Sequence, residues 1–202
     1  MNRELPNRKR NRMRWYDYSE DGWYFITICT KNRIEWLGKI KNDGMVLNDN
    51  GKIAKMCWLD IPNHYPNMYF DEWIIMPNHI HGIIVIENDI VPAIPIPTPV
   101  GTGFKPVPTN VKPVPTETEP VPTNTKTNPK SHGLSEIIRG FKTFSSRKIN
   151  KLPDHDHKFQ WQRSFYDHII RNEKSLHNIR EYIINNPIKW ALDRNNPGDL
   201  YM

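Results

Sequence analysis

A proline-rich stretch from Val91 to Lys130 sets the strongest limit on how this chain can fold. It reads VPAIPIPTPVGTGFKPVPTNVKPVPTETEPVPTNTKTNPK and holds eleven of the eighteen prolines in the 202-residue chain. Because proline fixes φ and lacks a backbone donor, this stretch is excluded from the interior of a helix or sheet. We interpret it as a disordered low-complexity insert, with bounds at 88–131, inside a domain whose two halves flank it.

Apolar periodicity before the insert predicts a strand, a helix and a hairpin. The segment WYFITICT at 23–30 is rich in aromatic and β-branched residues, which is typical of a strand. The segment 47–61 begins with Asn and Asp residues suited to capping and is predicted to be a helix. Two apolar strands at 70–76 and 79–87 follow, and Pro77-Asn78 between them favours a tight turn.

The second half predicts a helix, a strand and another helix. Apolar residues recur at helical spacing over 134–150. The segment 159–170 is interpreted as a strand, and 172–186 as a helix that ends near Pro187. The order indicates an α/β protein of the α+β type, in which an antiparallel sheet carries helices mainly on one face. This is close to a ferredoxin-like arrangement.

Composition places the folded part in one domain and argues against a membrane protein. The domain is expected over 15–193, with a short tail at 194–202. No apolar run approaches the roughly 20 residues of a membrane helix, and the basic first residues lead into no hydrophobic signal segment. The two cysteines have neither metal nor redox spacing, so we expect reduced thiols and a cytoplasmic protein.

Positive charge is concentrated near the beginning of the sequence. The chain has a net charge of +6 and a pI of about 9.3. Such a balance is typical of proteins that bind a polyanion, because basic side chains displace counterions from phosphates. A solvated terminus is the alternative for the first fourteen residues. We predict DNA contacts for four arginines of this N-terminal arm (1–14): Arg8, Arg10, Arg12 and Arg14.

Two histidines interrupt the apolar run IIMPNHIHGIIVI. On a strand, His79 and His81 point to the same face while Ile80 points into the core. Two neutral imidazoles placed this way can bind one divalent cation. Two core histidines are the alternative interpretation of the same pattern. A rival pair, His155 and His157, lies in a polar segment where a solvated loop is favoured.

The last predicted helix offers a nucleophile and a further ligand. Tyr182 and Asn186 are one helical turn apart and therefore share a face. The pKa of a tyrosine hydroxyl is ordinarily near 10, so a nearby cation would help to form the phenolate. Alternatively, Tyr182 lies at the edge of the core and Asn186 caps the helix before proline.

Together these motifs resemble the REP-associated tyrosine transposases, relatives of the single-strand HUH transposases. The resemblance rests on MPNHIHG, FQWQRSFYDHIIRNE and EYIINNP, with YDYSEDGWYFITICTKNR at the start. It covers roughly 14–90 and 132–193. A histidine pair followed by a tyrosine and an asparagine in this order is a more specific signal than the histidines alone.

The resemblance implies roles for individual residues. His79, His81 and Asn186 would bind Mg²⁺ or Mn²⁺, and Tyr182 would attack a DNA phosphate. The enzyme would nick single-stranded DNA at hairpin-forming REP-like repeats, form a 5′-phosphotyrosine link, and transfer the strand without ATP. A monomer is favoured, and a homodimer is possible within the wider family.

Other residues receive lesser roles, and two other functions remain open. Tyr166 is a reserve nucleophile. An inactive DNA-binding relative of the same fold is the main alternative, and a metallohydrolase that uses water is a weaker one. Further candidate phosphate contacts are Lys142, Gln162, Arg163 and Arg171.

Overall fold

A computed structural model of the chain describes residues 16–88, 132–153, 158–193, 195 and 196, all within one compact unit. The predicted N-terminal arm with its four arginines, the insert beyond Asn88, and the rival pair His155 and His157 lie outside the described residues. Among the helices that are described, none is both long enough and apolar enough to cross a membrane.

The strands are β1 (Gly22–Cys29), β2 (Gly38–Lys41), β3 (Gly44–Leu47), β4 (Met68–Ile75), β5 (His79–Ile86) and β6 (Tyr166–Ile170). Four of them form an antiparallel sheet with the order β4-β5-β1-β6. The other two, β2 and β3, form a separate hairpin. The helices are α1 (Asp49–Leu59), α2 (Ile61–His64), α3 (Leu134–Ile149) and α4 (Glu173–Ile184), with 3₁₀ turns at Lys31–Arg33 and Trp190–Leu192.

The predicted α+β fold with an antiparallel sheet is confirmed. Side chains alternate along the strands, so Tyr24, Ile26 and Ile28 of β1 pack beneath α1 and α3. Phe25 lies on the opposite face with Ile183 of α4. Two of the three long helices therefore cover one face of the sheet, and α4 covers part of the other.

Two local features differ from the sequence-based prediction. The strand predicted over 159–170 is shorter: β6 covers only Tyr166–Ile170, and the carbonyl oxygens of Gln162 and Ser164 before it accept hydrogen bonds from the Lys142 ammonium. The β2–β3 hairpin was not predicted. Its turn residues Asn42 and Asp43 have φ values of 48° and 58°, and this Asn-Asp-Gly sequence is a recognisable signal for such a turn.

A bulge in β4 orients residues on both faces of the sheet. Phe70 pairs with Ile84 and Trp73 pairs with Gly82, so one extra residue is accommodated on β4. As a result, Phe70 and Trp73 both contact the buried Trp58, although they are three residues apart. The same bulge leaves the side chain of Asp71 on the face that carries α4.

Candidate active site

The two histidines of β5 lie on the α4 face of the sheet. His79 and His81 are fully buried, and their ring centroids are 4.3 Å apart. In the sheet register, His81 is opposite Thr27 of β1. Ile80 is fully buried in the other core cluster, as the alternation of a strand requires. The strand geometry therefore brings the two imidazoles together in the way that the sequence pattern predicts.

Neighbouring side chains orient each imidazole. The Nδ2 of Asn78 donates to the carbonyl oxygens of Arg33 and Asn195, which leaves its Oδ1 as the acceptor for His79 Nδ1 at 2.8 Å. The ring of His79 then carries its lone pair on Nε2. Thr27 Oγ1 lies 2.9 Å from Nδ1 of His81 and can fix the same tautomer there. Such partners are characteristic of imidazoles that bind a metal through the other nitrogen.

Tyr182 brings an accessible hydroxyl to this pair. The Oη atom is 3.2 Å from His81 Nε2 and donates to Oδ2 of Asp193 at 3.3 Å. Tyr182 is 40% exposed and lines a surface cavity, so the residue lies next to the buried histidines and also faces solvent. Tyr182 therefore combines the position and the accessibility that a nucleophile needs.

Asn186 reaches the site from just beyond the helix. The predicted helix extends to 186, but α4 ends at Ile184 and Asn185 is its C-cap. Pro187 disfavours the helical conformation for the residue before it, which accounts for the earlier end. Asn186 is 2% exposed, and its Nδ2 donates to Oδ2 of Asp193 at 3.1 Å.

Asp193 completes the cluster and was not predicted from the sequence. It follows the 3₁₀ turn at Trp190–Leu192 and is 7% exposed. Ligand atoms of His79, His81 and Asp193 all lie within 4.8 Å of one another. An acidic residue seven positions after Asn186 is a weak signal, because nothing local predicts that the chain turns back there. Asn195, in the predicted tail, supports Asp193 by donating its backbone N–H to Oδ1 at 2.6 Å.

The donor set fits a divalent cation such as Mn²⁺ or Mg²⁺. Two imidazole nitrogens and one carboxylate converge, and oxygen donors suit these ions. The Oδ1 of Asn186 is buried and has no hydrogen-bond partner among the described residues. A buried amide oxygen without a partner costs free energy, and a cation bound at this point would satisfy it. The four residues therefore form a candidate metal centre beside Tyr182.

An ion pair anchors α4 over the sheet. Arg180 Nε donates to Oδ1 of Asp71 at 2.7 Å, and Nη2 donates to the second carboxylate oxygen. Hydrogen bonding from Arg180 holds the pKa of Asp71 below its usual value. The guanidinium also lies over the ring of Trp23 at 5.9 Å. Since Tyr182 is two residues further along the helix, this pair contributes to its position.

The other predicted residues lie away from the histidine pair. Tyr166 is on β6, one strand beyond Thr27, and is 40% exposed. Lys142 is on α3, across the sheet from the site, and its ammonium binds two backbone carbonyls. Arg163 and Arg171 are exposed, and Gln162 is half-buried. Contacts between these residues and DNA stay predictions.

Comparisons with known proteins show which family and which fold this chain is similar to. The family described as "Transposase IS200 like" matches residues 126–186. An uncharacterized protein of Haemophilus influenzae is 37% identical over 196 residues, covering 96% of this chain and 95% of that protein. The fold is similar to a solved REP-associated tyrosine transposase bound to a REP hairpin. That match has a TM-score of 0.52 and 16% identity, and it covers 91% of this chain and 74% of the other.

Proposed function

This chain belongs to the IS200-like transposase family, and on that premise we propose that it nicks and transfers single-stranded DNA through a covalent link to Tyr182. The observation that carries the proposal is the contact of Tyr182 Oη with His81 Nε2 at 3.2 Å. This contact supports the proposal because Tyr182, the proposed nucleophile, is 40% exposed and lies beside buried side chains that could hold a cation. Metal-assisted phosphoryl transfer requires this combination.

The proposed reaction exchanges one phosphodiester for another. The Oη atom of Tyr182 attacks the scissile phosphorus, the bond from phosphorus to the 3′ oxygen breaks, and the leaving oxygen takes up a proton. The products are a 5′-phosphotyrosine and a free 3′-OH. The proton of the tyrosine hydroxyl passes to water or to Asp193 Oδ2, which accepts from this hydroxyl at 3.3 Å, while the lone pair of His81 Nε2 is kept for the cation. Because the covalent link conserves the phosphodiester, a second 3′-OH can reverse the step without ATP.

His79, His81, Asp193 and Asn186 would hold the cation. When bound, Mg²⁺ or Mn²⁺ would polarise a phosphoryl oxygen and offset the negative charge that develops on it. The chain's own contribution is to bury the imidazoles, set their tautomers through Asn78 and Thr27, and keep Tyr182 on the exposed side.

Hairpin-forming DNA is the proposed substrate. The similar solved structure holds a REP hairpin, and the net charge of +6 favours a polyanionic partner. We propose that a monomer acts on such repeats in the cytoplasm. The arginines of the N-terminal arm, together with the exposed Arg163 and Arg171, are proposed to add phosphate contacts. Lys142 is left out of this set, because its ammonium binds two backbone carbonyls across the sheet from the site.

A covalent-capture experiment tests this function. The protein is incubated with Mn²⁺ and labelled hairpin oligonucleotides whose unpaired flanks are randomised, and adducts are separated on a denaturing gel. We expect an adduct with the wild type and none with Tyr182→Phe. Tyr166→Phe, a matched change at the reserve tyrosine, should retain the adduct.

Two results would contradict the proposal and support its alternatives. Nicking without any adduct would indicate a metallohydrolase that uses water as the nucleophile. Hairpin binding without nicking, in the presence of bound Mn²⁺, would indicate a DNA-binding relative that has lost catalysis.

A further inference from the structure

A groove lies beside the candidate active site because α4 covers only part of its sheet face. Leu176 and Ile183 of α4 pack against Ile83 and Val85 of β5, while the Arg180–Asp71 pair holds the helix toward β4. The same face of β1 and β6 is left open beside the helix. This opening forms a cavity of about 770 Å³, which we name the α4–β6 groove. Its lining includes Phe25, Tyr166, His168, Lys174, Asn178 and Lys189.

The sheet register connects this groove to the candidate metal centre. His81 is opposite Thr27, and Thr27 is opposite Tyr166, so all three lie in one row across the sheet. Two strand spacings separate His81 from Tyr166, a distance of about 10 Å. Tyr182 and Asp193 also line the groove. The α4–β6 groove therefore begins at the proposed nucleophile and extends from it to the edge strand.

Aromatic rings form the walls and floor of the groove. Phe25 is buried at its base, and the rings of Tyr166 and Tyr182 stand at 69° and 87° to it, with centroids 6.3 Å and 6.0 Å away. Both tyrosines are 40% exposed. Exposed aromatic rings of this kind are stacking platforms for unpaired bases, because every base has a π-face.

Polar and basic groups complete the lining. Lys174 and Lys189 are exposed and provide positive charge. Among the described residues of the lining, Asp193 at the Tyr182 end is the one carboxylate. Asn178 and His168 are exposed within the groove and can exchange hydrogen bonds with a base edge. The lining therefore offers rings that can stack on a base, amides that can bond to a base edge and ammonium groups that can bind a phosphate. This combination suits an unpaired nucleotide better than it suits an apolar peptide.

We propose that the α4–β6 groove binds the unpaired DNA that flanks the scissile phosphate. One base stacks on Tyr166, the Asn178 amide contacts the edge of that base, and Lys174 contacts a backbone phosphate. The groove then selects which flanking nucleotides can be presented to Tyr182. The proposal rests on the proposed function for its substrate, and it adds a site that determines sequence preference.

Binding without added metal tests the groove separately from nicking. The probe is a hairpin oligonucleotide with a four-nucleotide unpaired flank that contains 2-aminopurine, whose fluorescence is quenched on stacking. We expect Tyr166→Ala to weaken binding about ten-fold and to abolish the quenching, whereas Tyr166→Phe should keep both. Tyr69→Ala, which removes an exposed tyrosine from β4 outside the groove, should leave both unchanged.

A second pair of variants tests the base and phosphate contacts. When oligonucleotides with randomised flanks are selected by binding, Asn178→Ala should remove the preference for particular nucleotides at one flank position. The preferences at the other positions should be unchanged. Lys174→Gln should lower the slope of log affinity against log salt by about 0.7, the value for one phosphate contact to a single strand. Both residues are exposed on α4, so neither change removes core packing.

Three results would overturn the groove proposal. The first is that Tyr166→Ala binds the probe and quenches its fluorescence as the wild type does. The second is that Tyr166→Ala and Tyr166→Phe lose affinity and quenching equally. The third is that the wild type forms a concentration-dependent dimer and Tyr166→Ala is monomeric. The last result would make the groove an interface between copies of the chain.

The groove proposal and the proposed function can fail independently. If the wild type forms no covalent adduct but Tyr166→Ala still loses stacking, the proposed function fails and the groove stands. If an adduct forms and is lost in Tyr182→Phe, but Tyr166→Ala has no effect on binding, the groove proposal fails and the proposed function stands.

Discussion

Asn78 and His79, adjacent in the sequence, are also joined through their side chains, with Asn78 Oδ1 2.8 Å from His79 Nδ1. The amide nitrogen of Asn78 donates to the carbonyl oxygens of Arg33 and Asn195. One fully buried side chain therefore links a candidate ligand, the loop after β1 and the segment that positions Asp193. The turn residue of the β4–β5 hairpin thus supports the candidate metal centre.

Asn78→Ala is expected to weaken binding of Mn²⁺ by about 10- to 100-fold, because His79 loses the partner that orients it. The unfolding free energy should also fall by about 2 kcal/mol, since buried carbonyls lose a donor. Manganese binding can be followed from the decrease of the free Mn²⁺ signal in electron paramagnetic resonance. Asn63→Ala, at an exposed asparagine of α2, is the control. Equal affinity in Asn78→Ala and wild type would argue against His79 as a ligand.

Thr27→Val should lower the affinity for Mn²⁺ by about ten-fold while preserving the shape of the side chain. The hydroxyl of Thr27 lies 2.9 Å from His81 Nδ1, and valine leaves that buried nitrogen without this partner. Thr27→Ser keeps the hydroxyl and should recover most of the affinity. Isothermal titration of Mn²⁺ into the three proteins separates these outcomes. If serine and valine behave alike, the hydroxyl does not orient His81.

Asp193→Asn tests the residue that the sequence did not predict. Loss of its negative charge should reduce the affinity for Mn²⁺ by at least about ten-fold, because a neutral amide is a weaker ligand than a carboxylate for this ion. The fold should be retained, since asparagine keeps the shape of the side chain and its single amide oxygen can still accept from Asn195 N–H. Its amide nitrogen replaces the oxygen that accepts from Tyr182 Oη and Asn186 Nδ2, so those two hydrogen bonds are lost. Glu181→Gln removes an exposed carboxylate from α4 and serves as the charge-matched control. Unchanged affinity in Asp193→Asn would remove Asp193 from the ligand set.

Asp71→Asn should destabilise the protein at neutral pH but not in acid. The pKa of Asp71 is lower in the folded protein than in the unfolded chain, chiefly because Arg180 donates to its carboxylate. The pair therefore adds stability above the unfolded pKa of about 4, and this contribution is lost as the pH falls through the folded pKa. We expect the unfolding free energy of Asp71→Asn to be about 1 kcal/mol below that of the wild type at pH 7. The difference is small because Arg180 is partly exposed and solvent screens the ion pair.

Urea unfolding of both proteins from pH 7 down to pH 3 measures that difference. The difference in unfolding free energy between wild type and Asp71→Asn should become steadily smaller below about pH 4. Asp49→Asn, which breaks a largely exposed pair with Lys52, should change stability little at either pH. A gap that stays constant across this range would show that the charge of Asp71 is not the stabilising feature.

Several parts of the site could be predicted because they depend on local periodicity. The two-residue repeat of a strand directs His79 and His81 to one face, whatever the strand pairs with. The helical pattern around Tyr182 and the proline at 187 likewise predict α4 to within two residues of its end. The hairpin between β4 and β5 follows from turn chemistry at Pro77-Asn78.

Tertiary structure decided the rest, because it depends on packing between segments that are far apart in the sequence. Asp193 approaches His79 only because the chain turns back after Pro187, and no nearby pattern predicts that turn. The β4 bulge and the Arg180–Asp71 pair set where α4 lies on the sheet, and so bring Tyr182 to His81 across 101 residues. Periodicity assigns each residue to a face, but only the packing of α4 toward β4 leaves the α4–β6 groove open beside Tyr166.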